Sequence, residues 1–196
     1  NLGLSVGDDP GAVRENRRRI LAKMEIQEAV YLDQVHGKSI HVLTEENRQA
    51  PIVADGVVTQ LPGVALVIQV ADCQGILLYD PERKVIANVH SGWRGSVQNI
   101  IGGCIDVMTD GFRCNPKDIR AGISPSLGPC CAEFVNYRDE IPEGLWGYKL
   151  PDRLTFDFWK LSRDQMTEKG VRPENVETMN VCTRCNTDTF YSYRQE

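Results

Sequence analysis

The chain is short of histidine, of net positive charge and of long apolar runs, and each shortage removes a class of function. Only three histidines occur in 196 residues, too few for an array of several copper ions held by imidazoles. Lys and Arg number 22 against 27 Asp and Glu, a formal net charge of −5. The broad positive field of a nonspecific nucleic-acid binder is therefore missing, and Arg17, Arg18 and Arg19 read as a solvated helix face. The best apolar run, Gly63 to Ala71, is interrupted by Gln69 and closed by Asp72, well short of the roughly 18 uncharged residues of a membrane span. Seven cysteines fall below the roughly 8–10% of a secreted disulfide scaffold, and an odd number leaves at least one unpaired. These shortages imply reduced thiols, a cytoplasmic location, and neither nucleic acid nor membrane as partner. What is present, 41% hydrophobic and 25% charged residues, is the balance of one globular domain with a sizeable core.

Periodicity and turn signals then order the chain. Asp9-Pro10 reads as an N-cap and first helical position, with Val13, Arg17, Ile20, Leu21 and Met24 recurring on one face, which predicts a helix over about 10–24. Ala29 to Val35 is strand-like and ends at His36-Gly37, and Val64 to Val70 reads as a buried strand ending at Ala71-Asp72-Cys73. Gly75 to Tyr79 leads through the turn Asp80-Pro81-Glu82-Arg83 into Val85 to Val89, which delivers His90. Ser91-Gly92-Trp93-Arg94-Gly95 then opens an amphipathic helix carrying Val97, Ile100, Ile101, Cys104, Ile105 and Met108. A strand at Ile119 to Ile123, a helix from Asp157 to Lys169 stopped by Gly170, and a strand from Val176 to Val181 complete a mixed α/β chain, with Pro142 to Pro151 irregular.

His36 and His90 each end a strand ahead of a glycine-containing turn, where α/β folds place functional side chains. His41, in an alternating strand on the face opposite Ile40 and Val42, reads as an ordinary histidine. Cys73 follows a strand and lies 17 residues before His90, a separation that fits two strands joined by a hairpin, so the two ends meet. One thiolate and two neutral imidazoles form a ligand set for zinc or copper with a fourth position open, the mark of a catalytic metal site. The metal-free alternative makes Cys73 a nucleophile with His90 or His36 as its base, and spacing leaves both open. The turn Gly92 to Gly95 with Arg94 offers an anion site, or serves only to let the chain turn while Trp93 fills core space. Cys104 lies on an apolar helix stripe and Cys114 in a loop. Adjacent Cys130 and Cys131 point in different directions and make a poor chelating pair for one ion, while Cys182 and Cys185 have the two-residue spacing of a redox pair or half a zinc site but, with no second pair at a structural-zinc spacing, read rather as structural.

As a set, Gln34-Val35-His36-Gly37, Ala54-Asp55-Gly56, Ala71-Asp72-Cys73, His90-Ser91-Gly92-Trp93-Arg94-Gly95, Ser126-Leu127-Gly128-Pro129-Cys130-Cys131, Cys182-Thr183 and Phe190-Tyr191-Ser192-Tyr193-Arg194 resemble the YfiH-like, laccase-domain family, whose members are also called polyphenol oxidases or purine nucleoside phosphorylases. The resemblance implies a single α/β domain over 1–196, layered α/β/β/α with mixed sheets, and a site in which His36, Cys73 and His90 hold zinc or, as has been proposed, copper. It implies phosphorolysis of adenosine, inosine, guanosine or methylthioadenosine, and adenosine deamination, so that small purine nucleosides and phosphate are the partners. Copper-dependent phenol oxidation and hydrolytic editing of peptidoglycan precursors are the family's alternatives. Arg94, Gly92 and Gly95 are the expected phosphate contacts. A Thr-Arg-Gly-Gly stretch at the amino end and a carboxyl-terminal Gly-Arg, usual in the family, are expected to be missing, along with any contact they make.

Overall fold

The computed structural model describes residues 1–4 and 7–195. The first helix, α1 (Pro10–Lys23), starts where Asp9 caps it, the carboxylate accepting from the Ala12 N–H at 2.7 Å. There follow β1 (Glu28–Tyr31), β2 (Ile40–Val42), β3 (Gly56–Thr59), β4 (Val64–Val67), β5 (Gln74–Asp80) and β6 (Val85–Ser91). The remainder comprises α2 (Trp93–Val97), α3 (Ile100–Phe112), β7 (Arg120–Ile123), α4 (Tyr137–Glu140), α5 (Phe158–Glu168) and β8 (Val176–Thr178). Six strands form one mixed sheet in the order β2-β3-β6-β5-β7-β8, and β1 pairs in parallel with β4 in a second, two-stranded sheet.

The layering follows from which faces are apolar. In β5, Ile76 and Leu78 are buried while Leu77 and Tyr79 are exposed, the period of two that a half-covered strand requires. Ile76, Leu78 and Val89 meet Ile101, Ile105 and Met108 of α3 and Met166 of α5 in the main core, each such side chain contributing about 1.5–3 kcal/mol by burial. All four residues of β3 are buried, because Val58 joins that core while Val57 faces a second one with Val30, Leu43, Ile52 and Val64 beneath the β1–β4 pair. On the outer side α1 lies against β1, with the Arg17 guanidinium 3.7 Å from the centroid of the Tyr31 ring. The order is helices, six-stranded sheet, two-stranded sheet, helix: the α/β/β/α arrangement expected.

Five local expectations change. The strand expected over Ala29 to Val35 stops at Tyr31, so His36 stands on the loop beyond β1 rather than at a strand end. Of the apolar face foreseen for α1 only Val13 is buried, Ile20 and Met24 being exposed, because a sheet two strands wide cannot cover the whole helix. The run after Gly63 is strand only to Val67 and half-buried, since β4 has a single hydrogen-bonded neighbour. The helix predicted after Gly95 is two helices, broken at Asn99, whose left-handed φ of 56° Asn tolerates and whose side chain caps α3 through the Gly102 N–H at 3.0 Å. The closing strand stops at Thr178 rather than Val181, leaving residues 179 to 185 as a loop along the Ser126 segment, with Ser126 and Cys182 bridged.

Candidate metal centre

The β5–β6 hairpin sets the first half of the site. Asp80 closes it by accepting the Glu82 and Arg83 N–H groups, both at 2.9 Å, and the antiparallel register places Gly75 opposite His90 and Gln74 opposite Ser91. Cys73, one residue before β5, therefore lies across from the end of β6. His36 arrives from the other layer, on the loop after β1, with φ of 57°. The ligand atoms of His36, Cys73 and His90 all lie within 4.8 Å of one another, and the two imidazole rings meet edge to face at 4.7 Å between centroids. His41 lies in β2, paired with Val57 and outside this group.

Asp55 joins the two layers. Its fully buried carboxylate accepts the backbone N–H of His36 at 2.9 Å, of Gly37 at 2.7 Å and of Val35 at 3.3 Å, and pairs with Nδ1 of His90 at 2.7 Å. Its own carbonyl accepts the His90 N–H at 2.7 Å. Burial opposes ionisation of Asp55, yet the hydrogen bonds from His90 and from the Gly37 and His36 N–H groups hold it below the usual carboxylate range. Burial pushes the His90 pKa down, partly offset by Asp55 and helped by His36, so the ring is neutral, donates its Nδ1 proton to Asp55 and carries its lone pair on Nε2. That tautomer is the metal-binding one, and a carboxylate behind a histidine is the usual means of fixing it.

Burial, reinforced by the Asp72 and Asp55 carboxylates, pushes the Cys73 thiol up to about 11. Without a cation Cys73 is protonated near neutrality, a poor state for a nucleophile; a bound metal reverses this, since a coordinating thiol is deprotonated outright. The donor set, one half-buried thiol, one imidazole with a fixed tautomer and one exposed imidazole, fits zinc or copper and fits a metal-free nucleophile less well. Asp72, the residue before Cys73, with φ of 76°, is held in place by the carboxyl-terminal segment: its carboxylate accepts from Thr183 Oγ1 at 2.6 Å and from the Arg194 N–H at 2.8 Å.

The glycine turn lies against this trio. A Cβ on Gly92 would stand 3.1 Å from both Cys73 Sγ and His36 Cδ2, and one on Gly95 3.2 Å from the Gly37 carbonyl oxygen. Gly92→Ala is therefore expected to leave the protein folded but to lower metal affinity at the trio by about 10–100-fold, read by titration against a competing chelator. Unchanged affinity would mean that the three donors do not act together. Arg94 is exposed, its guanidinium 4.4 Å from the centroid of the Trp93 ring, and among the described residues no carboxylate pairs with it. It stands on a helix of only five residues, so any attraction for an anion comes from its own charge rather than from a macrodipole.

The sequence signals no site role for Asp55 or Asp72 beyond their places in the motifs: each is a lone carboxylate closing or interrupting an apolar segment. One expectation is overturned. Cys130 and Cys131 do not diverge; with Cys182 and Cys185 they place four sulfurs within 4.8 Å of one another, because a tight turn, in which the Cys131 and Ala132 N–H groups both reach the Gly128 carbonyl at 2.9 Å, brings neighbouring thiols to one side.

A layered α/β fold that brings His36 of the loop after β1 against Cys73 and His90 of the β5–β6 hairpin defines the class. The chain belongs to the family described as multi-copper polyphenol oxidoreductase laccase, which it matches over residues 1–196. It is similar to purine nucleoside phosphorylase PA4543 of Pseudomonas aeruginosa, 32% identical over 203 residues covering 100% of this chain and 80% of that protein. To purine nucleoside phosphorylase YfiH of Escherichia coli it is 31% identical over 206 residues, covering 100% and 81%. The crystal structure of YlmD from Geobacillus stearothermophilus matches with a TM-score of 0.89 at 30% identity, over 100% of this chain and 79% of that one. No helix among the described residues is long and apolar enough to cross a membrane.

Proposed function

We propose that the protein is a metal-dependent purine nucleoside enzyme that splits adenosine, inosine, guanosine or methylthioadenosine with phosphate and also deaminates adenosine. The observation that carries this reading is Asp55, which fixes His90 in its metal-binding tautomer while anchoring the loop that bears His36. The names of the relatives point to the substrate class. His36, Cys73 and His90 would hold the ion, zinc first and copper as the alternative, and when bound it supplies Lewis acidity and activation of water or of a substrate oxygen. In phosphorolysis a phosphate oxygen bonds to C1′ as the C1′–N9 bond breaks, and the purine leaves with the electron pair and takes up a proton. Arg94, on the Gly92–Gly95 turn, is the proposed phosphate contact. The family description favours a second reading, phenol oxidation by copper. A multi-copper array needs more imidazoles than the two that meet here, so only a single copper suits the trio.

The test is inosine turnover with and without phosphate, products resolved by chromatography, beside the metal content of the purified protein. Phosphate-dependent release of hypoxanthine and ribose-1-phosphate is expected; phenol oxidation without nucleoside turnover would overturn the proposal. Arg94→Ala is expected to raise the KM for phosphate by about 10–100-fold, the loss of one charge-assisted contact, with the KM for inosine little changed. An unaltered phosphate dependence would remove Arg94 from the anion site.

A further inference from the structure

Apart from the trio, the described residues hold one other cluster of metal-ligating side chains, and the reading above makes no use of it. Cys130 and Cys131 from the turn after Gly128, and Cys182 and Cys185 from the carboxyl-terminal segment, all present free thiols. Their sulfurs fall within 4.8 Å of one another, with Cys131 to Cys185 at 3.5 Å and Cys130 to Cys185 at 3.7 Å. A tetrahedral ion with sulfur at about 2.3 Å has sulfur–sulfur edges of about 3.8 Å. A disulfide joins sulfurs only in pairs at about 2.05 Å, whereas Cys185 stands at nearly equal distances from the sulfurs of Cys130 and Cys131. We propose that Cys130, Cys131, Cys182 and Cys185 form a second metal centre, a closed four-thiolate site for zinc or a cation of similar preference. This goes beyond the enzyme reading and does not depend on it.

Gly128 is where the two segments touch: a Cβ there would stand 2.8 Å from the Trp159 ring and 3.0 Å from the Cys182 Cβ. Four protein ligands close the coordination sphere, so the site is structural rather than catalytic. Its burial is uneven, with Cys182 buried and Cys130 and Cys185 exposed, as suits an ion loaded from solvent at the edge of the fold.

The clamp would hold the segment that supports the trio. Beside it the Ser126 N–H reaches the Val181 carbonyl and the Thr183 N–H reaches the Ser126 carbonyl, both at 3.1 Å. Thr183 then bonds the Asp72 carboxylate, and the Leu127 N–H bonds the Asp72 carbonyl at 2.8 Å. Asp72 precedes Cys73, so the thiolate centre stands one link from the candidate active site without contributing a ligand to it.

The experiment counts metal in the purified, reduced full chain by elemental mass spectrometry. Wild type is expected to hold two equivalents, Cys73→Ala one, and the double variant Cys130→Ser, Cys185→Ser one. Cobalt(II) added to metal-free Cys73→Ala is expected to give the intense visible bands of a four-thiolate site, absent from the double variant. The Cys73→Ala background keeps the outcome separate from that of the nucleoside reading, and it needs no change at the cluster, so a double variant that fails to fold does not block the test. A Cys73→Ala protein that holds no metal and gives no thiolate–cobalt spectrum overturns the proposal. So does peptide mapping of non-reduced wild type that finds Cys185 joined to Cys130 or Cys131.

Discussion

Cys73→Ala is expected to abolish metal binding at the His36–Cys73–His90 centre and to lower kcat/KM for nucleoside phosphorolysis on the order of 10³-fold, about 4 kcal/mol of transition-state stabilisation. Two imidazoles remain, one exposed and one buried, and a pair of neutral donors holds a divalent ion far more weakly than a set containing a thiolate. The same variant separates the two chemistries that spacing alone left open. If Cys73 worked as a metal-free nucleophile, turnover would vanish while the metal content stayed the same. The environment weighs against that outcome: a thiol pushed up to about 11 by burial and two nearby carboxylates is ionised to only about one part in 10⁴ near pH 7. Full activity in Cys73→Ala would remove the trio from the reaction altogether.

Asp55→Ala is expected to strike both histidines at once. It leaves the Val35, His36 and Gly37 N–H groups without their acceptor and releases the His90 ring. With roughly 1–3 kcal/mol for each buried group left unpaired, and water entering part of the gap, a destabilisation of about 3 kcal/mol follows. In a chain of this size that is a fall in Tm of about 6–12 °C, beside a loss of metal affinity of about 10–100-fold. Asp55→Asn keeps the volume, yet in either orientation its amide hydrogens face a donor: His36 N–H and His90 Nδ1 on one side, Gly37 and Val35 N–H on the other. Where the amide faces His90 it selects the tautomer protonated on Nε2, which cannot take a metal. The substitution is therefore expected to retain more stability than alanine while losing as much metal affinity. Calorimetry and chelator competition read the two quantities separately, and an Asp55→Asn protein with unchanged affinity would show that the carboxylate does not govern the histidine.

Local chemistry made much of this legible in the amino-acid sequence. Asp9-Pro10 begins α1, Asp80 turns β5 into β6 and Gly170 ends α5, because each acts on backbone within a few residues of itself. The meeting of Cys73 and His90 followed from the same reasoning, since a hairpin's turn sets its register and the register sets which strand ends face each other. Other features were hidden because they depend on segments distant along the chain. Asp55 reads as one residue of an ordinary Ala-Asp-Gly turn until β1 stacks its loop over β3 and turns three N–H groups toward the carboxylate. Asn99 breaks a helix whose apolar spacing runs on unbroken, because the periodicity of side chains does not report a single left-handed residue.

The cysteines mark the boundary. Composition determined that they were too few for a disulfide scaffold, and pattern determined that Cys104 belongs to the core, where it is fully buried. Only the tertiary structure decided that Cys130, Cys131, Cys182 and Cys185 converge, since their meeting joins segments about 50 residues apart through Gly128 and the bridge between Ser126 and Cys182. Periodicity and turn chemistry encode contacts close along the chain; contacts across such a span depend on which faces pack together once the core has formed.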